Sequence, residues 1–135
     1  MSNATAFLQP RAHWLLRAGL ASVFLFHGIG KVVNISGFAE MMSLPFSAAA
    51  LVTFAELAGG IGILVGGFRS AYITRLSTIA MLPVLIGAIV MVHGPRWSFT
   101  PAEGFPMGGM EFQVVLLFIA TYFLVVGNGQ PARAE

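Results

Sequence analysis

Four apolar stretches, each close to the length that spans a bilayer, follow one another along the chain. They cover residues 12–33, 47–67, 72–92 and 110–127. An α-helix needs roughly 20 residues to cross about 30 Å of hydrocarbon, and a helix satisfies its own backbone hydrogen bonds in lipid. The pattern therefore predicts an all-α membrane protein, a four-transmembrane-helix bundle that forms a single domain over residues 1–135.

The polar connections between these stretches differ in character. Residues 34–46 are amphipathic and end in Leu44-Pro45, which predicts a short interfacial segment followed by a turn. Residues 94–109 combine prolines and glycines with Trp97, which is typical of a structured interfacial loop with aromatic anchors. The connection 67–71 is short enough to be a tight turn.

Composition agrees with a membrane location and excludes several other classes. The chain is 57% hydrophobic and 9% charged, whereas soluble domains carry about 25% charged residues. It has no cysteine, which excludes disulfides, thiolate chemistry and cysteine-bound metals. Its basic residues are scattered along the sequence, so we expect no nucleic-acid partner.

Charge asymmetry predicts the orientation of the bundle. An even number of crossings places both termini on one side of the membrane. That side receives Arg11, Arg69, Arg75 and Arg133, and the opposite side receives Lys31 and Arg96. Basic residues are enriched on the cytoplasmic side, so both termini are expected to be cytoplasmic.

One carboxylate lies within the second apolar stretch. Glu56 is the only ionisable residue of the run 47–68, and a charge at that depth needs a partner or a proton. At a rise of about 1.5 Å per residue, Arg17, Glu56 and His27 lie at depths of roughly 8, 15 and 22 Å. Two interpretations stay open: a buried Arg17–Glu56 ion pair that holds the helices in register, or a Glu56 carboxyl group that exchanges a proton in a membrane redox or transport step.

A second group of polar residues lies towards the opposite end of the bundle. His27, Lys31, His93 and Glu111 fall at a similar depth. Proton donors and acceptors beside an apolar slot are what a quinone headgroup requires, so these four are candidate quinone-binding residues. The alternative is that His27 and His93 simply end their helices, since a glycine follows each one. The spacing of His and Glu does not match a metal site, and we expect neither a metal nor a flavin site in the chain.

Small residues and a proline indicate how the helices pack. Ala55, Gly59, Gly62 and Gly66 recur on one helical face, and such stripes allow another helix to approach closely. Pro83 leaves a backbone carbonyl without its usual donor in the third apolar stretch, which favours a bend there.

The order of these features resembles the DoxX family of small four-helix bacterial membrane proteins. The resemblance is carried by Arg17, His27-Gly-Ile-Gly-Lys31, the segment 54–66 (FAELAGGIGILVG), His93-Gly94, Glu111 and Gly127-Asn128-Gly129. It implies a multi-pass protein of the bacterial inner membrane. Some relatives look like the membrane subunit of a thiosulfate:quinone oxidoreductase, and others join membrane oxidoreductase complexes linked to redox stress, so the resemblance favours a quinone-linked role.

Three hypotheses for function follow. The first is a quinone-linked subunit of a membrane oxidoreductase assembly, in which a partner protein supplies the electrons. Glu56 and Arg17 would then form a proton relay or its structural support, and the four residues of the second group would bind the headgroup. The second hypothesis is a non-catalytic accessory subunit that packs against a larger membrane complex. The third is a proton-coupled transporter, which would require the chain to form homo-oligomers. Whether this chain catalyses any step stays open.

Overall fold

The computed structural model describes residues 7–128, so Gly129 and Arg133, which belong to the patterns above, lie outside it. Its helices are α1 (His13–Val33), α2 (Ile35–Met41), α3 (Phe46–Arg69), α4 (Ala71–Ala88) and α5 (Glu111–Val126). A 3₁₀ turn, Gln9–Arg11, precedes α1, and a π-helical turn, Ile89–His93, extends α4. The all-α prediction is confirmed for this part of the chain.

Three helical segments are long and apolar enough to cross a membrane: Gln9–Val33, Phe46–Arg69 and Ala71–His93. The fourth, Glu111–Val126, is apolar but has 16 residues, which corresponds to about 24 Å of helix. Large apolar side chains such as Leu15 and Phe118 point outwards from the bundle, as lipid-facing residues do. The chain is thus a multi-pass membrane protein, while a count of four crossings and the side of the termini stay predictions.

Helix α3 occupies the centre of the packing order. It packs along α1 on one side and along α4 on the other, and α4 in turn packs against α5. Direct contact between α1 and α5 is sparse by comparison. The bundle is therefore closed around α3 and α4 and looser where its first and last long helices meet.

Glycines explain the close contact of α3 with α4. A Cβ atom added at Gly59 would lie 2.8 Å from the Met81 side chain, and one added at Gly66 would lie 2.6 Å from the backbone nitrogen of Thr74. Real Cβ atoms do not approach so closely, and hence the two backbones can meet only because these positions lack a side chain. The expected packing stripe on α3 is confirmed.

The two ends of the bundle are built differently. The end with α2 and the loop 94–110, called the α2 end below, is capped by ordered connections: Asn34 Oδ1 accepts from Gly37 N at 2.9 Å, and Gly109 N donates to Ser98 O at 2.8 Å. The opposite end, called the Arg17 end, holds the start of α1 and the end of α5. The buried core begins there and extends to the middle of the bundle; its members are Leu20, Ala21, Phe24, Ile63, Met81, Leu85, Leu116, Ala120 and Phe123.

Candidate functional site

A cavity of about 900 Å³ occupies the α2 end of the bundle. Residues from every helix line it, and most of them are apolar, including Phe24, Leu85 and Leu116 at the border of the core. The side chains in the lining that carry hydrogen-bonding groups are His27, Lys31, Asn34, Glu56, His93 and Gln113. The cavity thus combines apolar walls with a small set of polar groups, as small-molecule binding sites usually do.

The main electrostatic feature of the cavity is an ion pair between α1 and α3. Lys31 Nζ lies 2.8 Å from each carboxylate oxygen of Glu56. The two side chains are only 17% and 7% exposed. The Lys31 ammonium also lies 4.9 Å from the ring centroid of Phe38 on α2, within range of a cation–π contact. One lysine therefore links three helices at the wall of the cavity.

Lys31, and not Arg17, is the partner of Glu56, so the Arg17–Glu56 ion pair expected from depth is wrong. The reason lies in the direction of side chains on a helix, because Cα–Cβ bonds tilt towards the helix N-terminus. On α1 this tilt sends Arg17 away from the middle of the bundle and sends Lys31 towards it. Glu56 lies on the antiparallel α3, where the same rule directs its carboxylate towards the α2 end and Lys31.

Arg17 instead closes the opposite end of the molecule. It is fully buried, and each of its guanidinium nitrogens donates hydrogen bonds. The acceptors are His13 Nδ1 at 3.1 Å, Ile63 O at 2.6 Å, Thr74 Oγ1 at 3.0 Å, Asn128 Oδ1 at 2.7 Å and Gly127 O at 3.4 Å. Its charged group also lies 4.5 Å from the ring centroid of Phe123. These contacts join α1, α3, α4 and the end of α5.

The separation of Arg17 from Glu56 changes what Arg17 can do. Arg17 and Lys31 lie on one stripe of α1 but fourteen residues apart, which is about 21 Å along the axis. Since Lys31 contacts Glu56 directly, Arg17 is far from the carboxylate. The geometry gives Arg17 a role in holding the helices together.

His93 at the end of α4 is held on both ring nitrogens. Nδ1 lies 3.1 Å from Gly108 O, and Nε2 lies 2.9 Å from the amide nitrogen of Gln113. A carbonyl oxygen only accepts, so Nδ1 carries the proton and Nε2 accepts from the Gln113 amide. Gln113 Oε1 is buried and has no hydrogen-bond partner among residues 7–128.

His27 lies one helical turn before Lys31 and lines the same cavity. Its ring packs edge-on against Phe26, with centroids 5.5 Å apart. His27, Lys31 and His93 are thus brought together around one cavity, as the sequence predicted, although their binding of any ligand stays a prediction.

Glu111 is the predicted headgroup residue that the structure places elsewhere. Its Oε2 accepts a hydrogen bond from Phe99 N at 3.2 Å, so within the described chain it fastens the loop 94–110 to the first turn of α5. Gln113, two residues later, lines the cavity instead. Gln113 was missed because it is uncharged, yet it is the only side-chain amide in the apolar stretch 110–127.

The arrangement offers hydrogen-bond chemistry. Lys31 supplies a cationic donor, Glu56 an anionic acceptor, His27 an imidazole and Gln113 an amide, all at the edge of an apolar volume. Across residues 7–128, no group of three or more His, Cys, Asp or Glu side chains is arranged to hold a metal ion.

Comparison with known proteins gives one match. The model of the family described as DoxX matches residues 12–94, more than half of the chain. The matched region includes Arg17, His27, Lys31, Glu56 and His93 and ends before α5 begins. Curated proteins and solved structures gave no significant match.

Proposed function

The chain belongs to the DoxX family, and on that premise we propose that it binds the headgroup of a quinone-class lipid in the cavity at the α2 end. In this proposal it acts as a subunit of a membrane oxidoreductase assembly. It crosses the bacterial inner membrane four times and keeps both termini in the cytoplasm. The observation that carries the proposal is the cavity itself, with its Lys31–Glu56 pair.

The size and lining of the cavity fit a lipid-soluble ring. A volume of about 900 Å³ lies within the range of about 300–1,000 Å³ that is usual for small-molecule sites. A quinone presents an apolar ring with an oxygen atom on each of two opposite edges, and the lining offers apolar walls with polar groups on different helices. Methionines also line the cavity, among them Met41, Met91 and Met107, and their flexible thioethers adapt to irregular apolar groups.

Each polar residue has a distinct part in this proposal. Lys31 donates to a headgroup oxygen with the N–H that Glu56 does not engage. Glu56 holds the ammonium in place and exchanges a proton with it when the headgroup changes protonation. His27, one turn away, is a second donor or acceptor on the same wall. A bound quinone would supply the two-electron redox chemistry, while these residues bind and orient it.

Arg17 takes a supporting part. It lies about 21 Å along α1 from Lys31, beyond the reach of a direct proton transfer. Its hydrogen bonds go to α1, α3, α4 and the turn after α5. In this proposal Arg17 holds the helices together at the Arg17 end, and this stabilises the arrangement of the helices around the cavity.

Extraction of bound lipid tests the proposal. The protein would be purified in a mild detergent from quinone-rich membranes, and its lipid extract analysed by mass spectrometry. We expect quinone near stoichiometric amounts in the wild type, and much less in Lys31→Met and His27→Ala. Phe118→Leu is the matched control, because Phe118 is 68% exposed on the outside of α5. Quinone absent from the wild type, or retained equally in all variants, would contradict the proposal.

The direct contact between Lys31 and Glu56 favours a second candidate function. Lys31 contacts both oxygens of Glu56, and in some proteins a buried ion pair serves to specify how helices meet. The chain would then be a non-catalytic accessory subunit that packs against a larger membrane complex. In that case Glu56→Gln lowers the amount of assembled complex and leaves the turnover of each complex unchanged. Under the quinone proposal the same variant lowers turnover per complex.

A further inference from the structure

We infer that the Gln113 amide is the second headgroup contact of this cavity, and that His93 acts through Gln113 by holding the amide in position. The inference rests on the proposed quinone binding and deepens it. It assigns a contact on α5, a helix that lies beyond the family match.

His93 has no ring nitrogen left for a ligand in this arrangement. Nδ1 donates to Gly108 O, and Nε2 accepts from the Gln113 amide. A ligand that bound His93 directly would have to break one of these hydrogen bonds first. The imidazole is therefore a positioning group, and the side chain that it holds, Gln113, lines the same cavity.

Gln113 retains unused hydrogen-bonding capacity. An amide nitrogen has two hydrogens, and His93 takes one of them. The carbonyl oxygen Oε1 is buried and has no partner within the described residues. Buried polar atoms in native proteins nearly always have a partner. Because Oε1 belongs to a cavity-lining side chain but is itself covered, we infer that it meets the donor of a ligand when the amide rotates towards the cavity.

The position of Gln113 complements the ion pair. Lys31 and Glu56 belong to α1 and α3, whereas His93 and Gln113 belong to the end of α4 and to α5. Polar groups on two pairs of helices would allow each pair to serve one oxygen of a bound ring. An amide carries a donor and an acceptor, so it can serve the carbonyl of a quinone through N–H and the hydroxyl of a quinol through Oε1 after a small rotation.

A double-mutant cycle tests the inference. Binding of decylubiquinone, in its oxidised and reduced forms, would be measured by calorimetry with the full-length protein in lipid nanodiscs. Gln113→Met keeps the length of the side chain and removes its polar atoms. Loss of one hydrogen bond predicts about fivefold to tenfold weaker binding of both forms. Thr121→Val is the matched control, because Thr121 lies on the exposed side of α5 and bonds only to Leu117 O of its own helix.

The same calorimetric binding measurement tests the role of His93. His93→Phe should weaken binding as much as Gln113→Met does, and should add nothing when combined with it. His93→Gln should restore binding, because its amide can donate to Gly108 O and accept from Gln113. Thermal unfolding of each variant identifies any that has lost its fold. If His93→Phe does not fold, the folded variant His93→Gln is compared with the wild type in its place.

The outcomes separate this inference from the function on which it rests. Wild-type binding that is unchanged in Gln113→Met, or a further loss when His93→Phe is added to it, overturns the inference and leaves quinone binding standing. A wild type that binds neither form overturns both. Weaker binding in Gln113→Met, with no further loss in the double variant, supports the inference.

Discussion

Removal of one partner from the Lys31–Glu56 pair should destabilise the bundle far more than removal of both. The carboxylate and the ammonium are 2.8 Å apart, which corresponds to a gross attraction of about 6 kcal/mol at an effective dielectric constant of about 20. Most of that attraction offsets the desolvation of two charges. The pair as a whole therefore adds little net stability, while a single charge left behind in the cavity wall is strongly unfavourable.

The structure sets the size of each effect. Lys31→Met leaves the carboxylate of Glu56, whose side chain is only 7% exposed, without its cation. Breaking buried pairs costs about 3–5 kcal/mol, and we expect about 3 kcal/mol here because the Lys31 side chain is 17% exposed. Glu56→Leu should cost about 1 to 2 kcal/mol, because the freed lysine can extend towards the membrane surface. The double variant should lie within about 1 kcal/mol of the wild type.

The assay is reversible unfolding in mixed micelles, followed by circular dichroism as the denaturing detergent is increased. Glu40→Gln serves as the control, since Glu40 is an exposed carboxylate on α2, and its free energy of unfolding should stay within about 0.5 kcal/mol of wild type. The coupling energy of the cycle should exceed about 2 kcal/mol. Strictly additive losses in the double variant would refute a direct Lys31–Glu56 interaction.

Further predictions concern the rest of the bundle. Arg17→Lys should destabilise the protein by about 2 kcal/mol or more in the same unfolding assay, because an ammonium has three donors and cannot replace the five donors of a guanidinium. A variant as stable as the wild type would contradict the role of Arg17 in holding the helices together. Gly66→Ala should lower the free energy of unfolding by about 1–3 kcal/mol. Gly19→Ala is the control: a Cβ atom there would have open space, so the free energy of unfolding should be equal or slightly higher. Equal losses of stability in the two variants would contradict the packing stripe. Because the chain has no cysteine, single-cysteine labelling can read topology: Gln9→Cys should react from the cytoplasmic side and Glu103→Cys from the other, and labelling of both from one side would exclude the proposed topology.

The helices could be predicted from hydrophobicity because length and apolar content alone decide whether a segment can exist in lipid. The apolar stretch 47–67 corresponds to α3 at Phe46–Arg69, and 72–92 corresponds to α4 with its π-helical extension. The spacing of glycines on α3 likewise predicted close contact with another helix, and in the structure that helix is α4. These features depend on local composition and helical periodicity, which a sequence displays directly.

The pairing of the buried charges could not be predicted from depth alone. Arg17 and Lys31 lie on the same stripe of α1, and only the tilt of their side chains towards the helix N-terminus decides which one reaches Glu56. The partners of Arg17 include backbone oxygens and Asn128, which no charge pattern reveals. Depth gave the positions of the Cα atoms along the helices but not the direction of the side chains, and that direction decides the pairing.

The composition of the cavity was predictable in part. Depth brought His27, Lys31 and His93 to one end because helix rise is regular. Glu111 lies at the same end but outside the cavity lining, because its carboxylate accepts a hydrogen bond from Phe99 N of the loop. Gln113 was overlooked because an uncharged amide gives little signal in an apolar helix, although its buried carbonyl oxygen still requires a hydrogen-bond partner.

Photolabelling would test the central claim most directly, namely that the cavity at the α2 end holds a quinone headgroup. Native membranes containing the protein would be irradiated with an azido-quinone, and labelled peptides would be mapped by mass spectrometry. We expect labels within residues 26–31 and 107–116, which contribute to the cavity lining, and we expect excess unlabelled quinone to suppress them. Labels that fall mainly at the Arg17 end or on outward-facing residues, or that excess quinone does not suppress, would contradict the account.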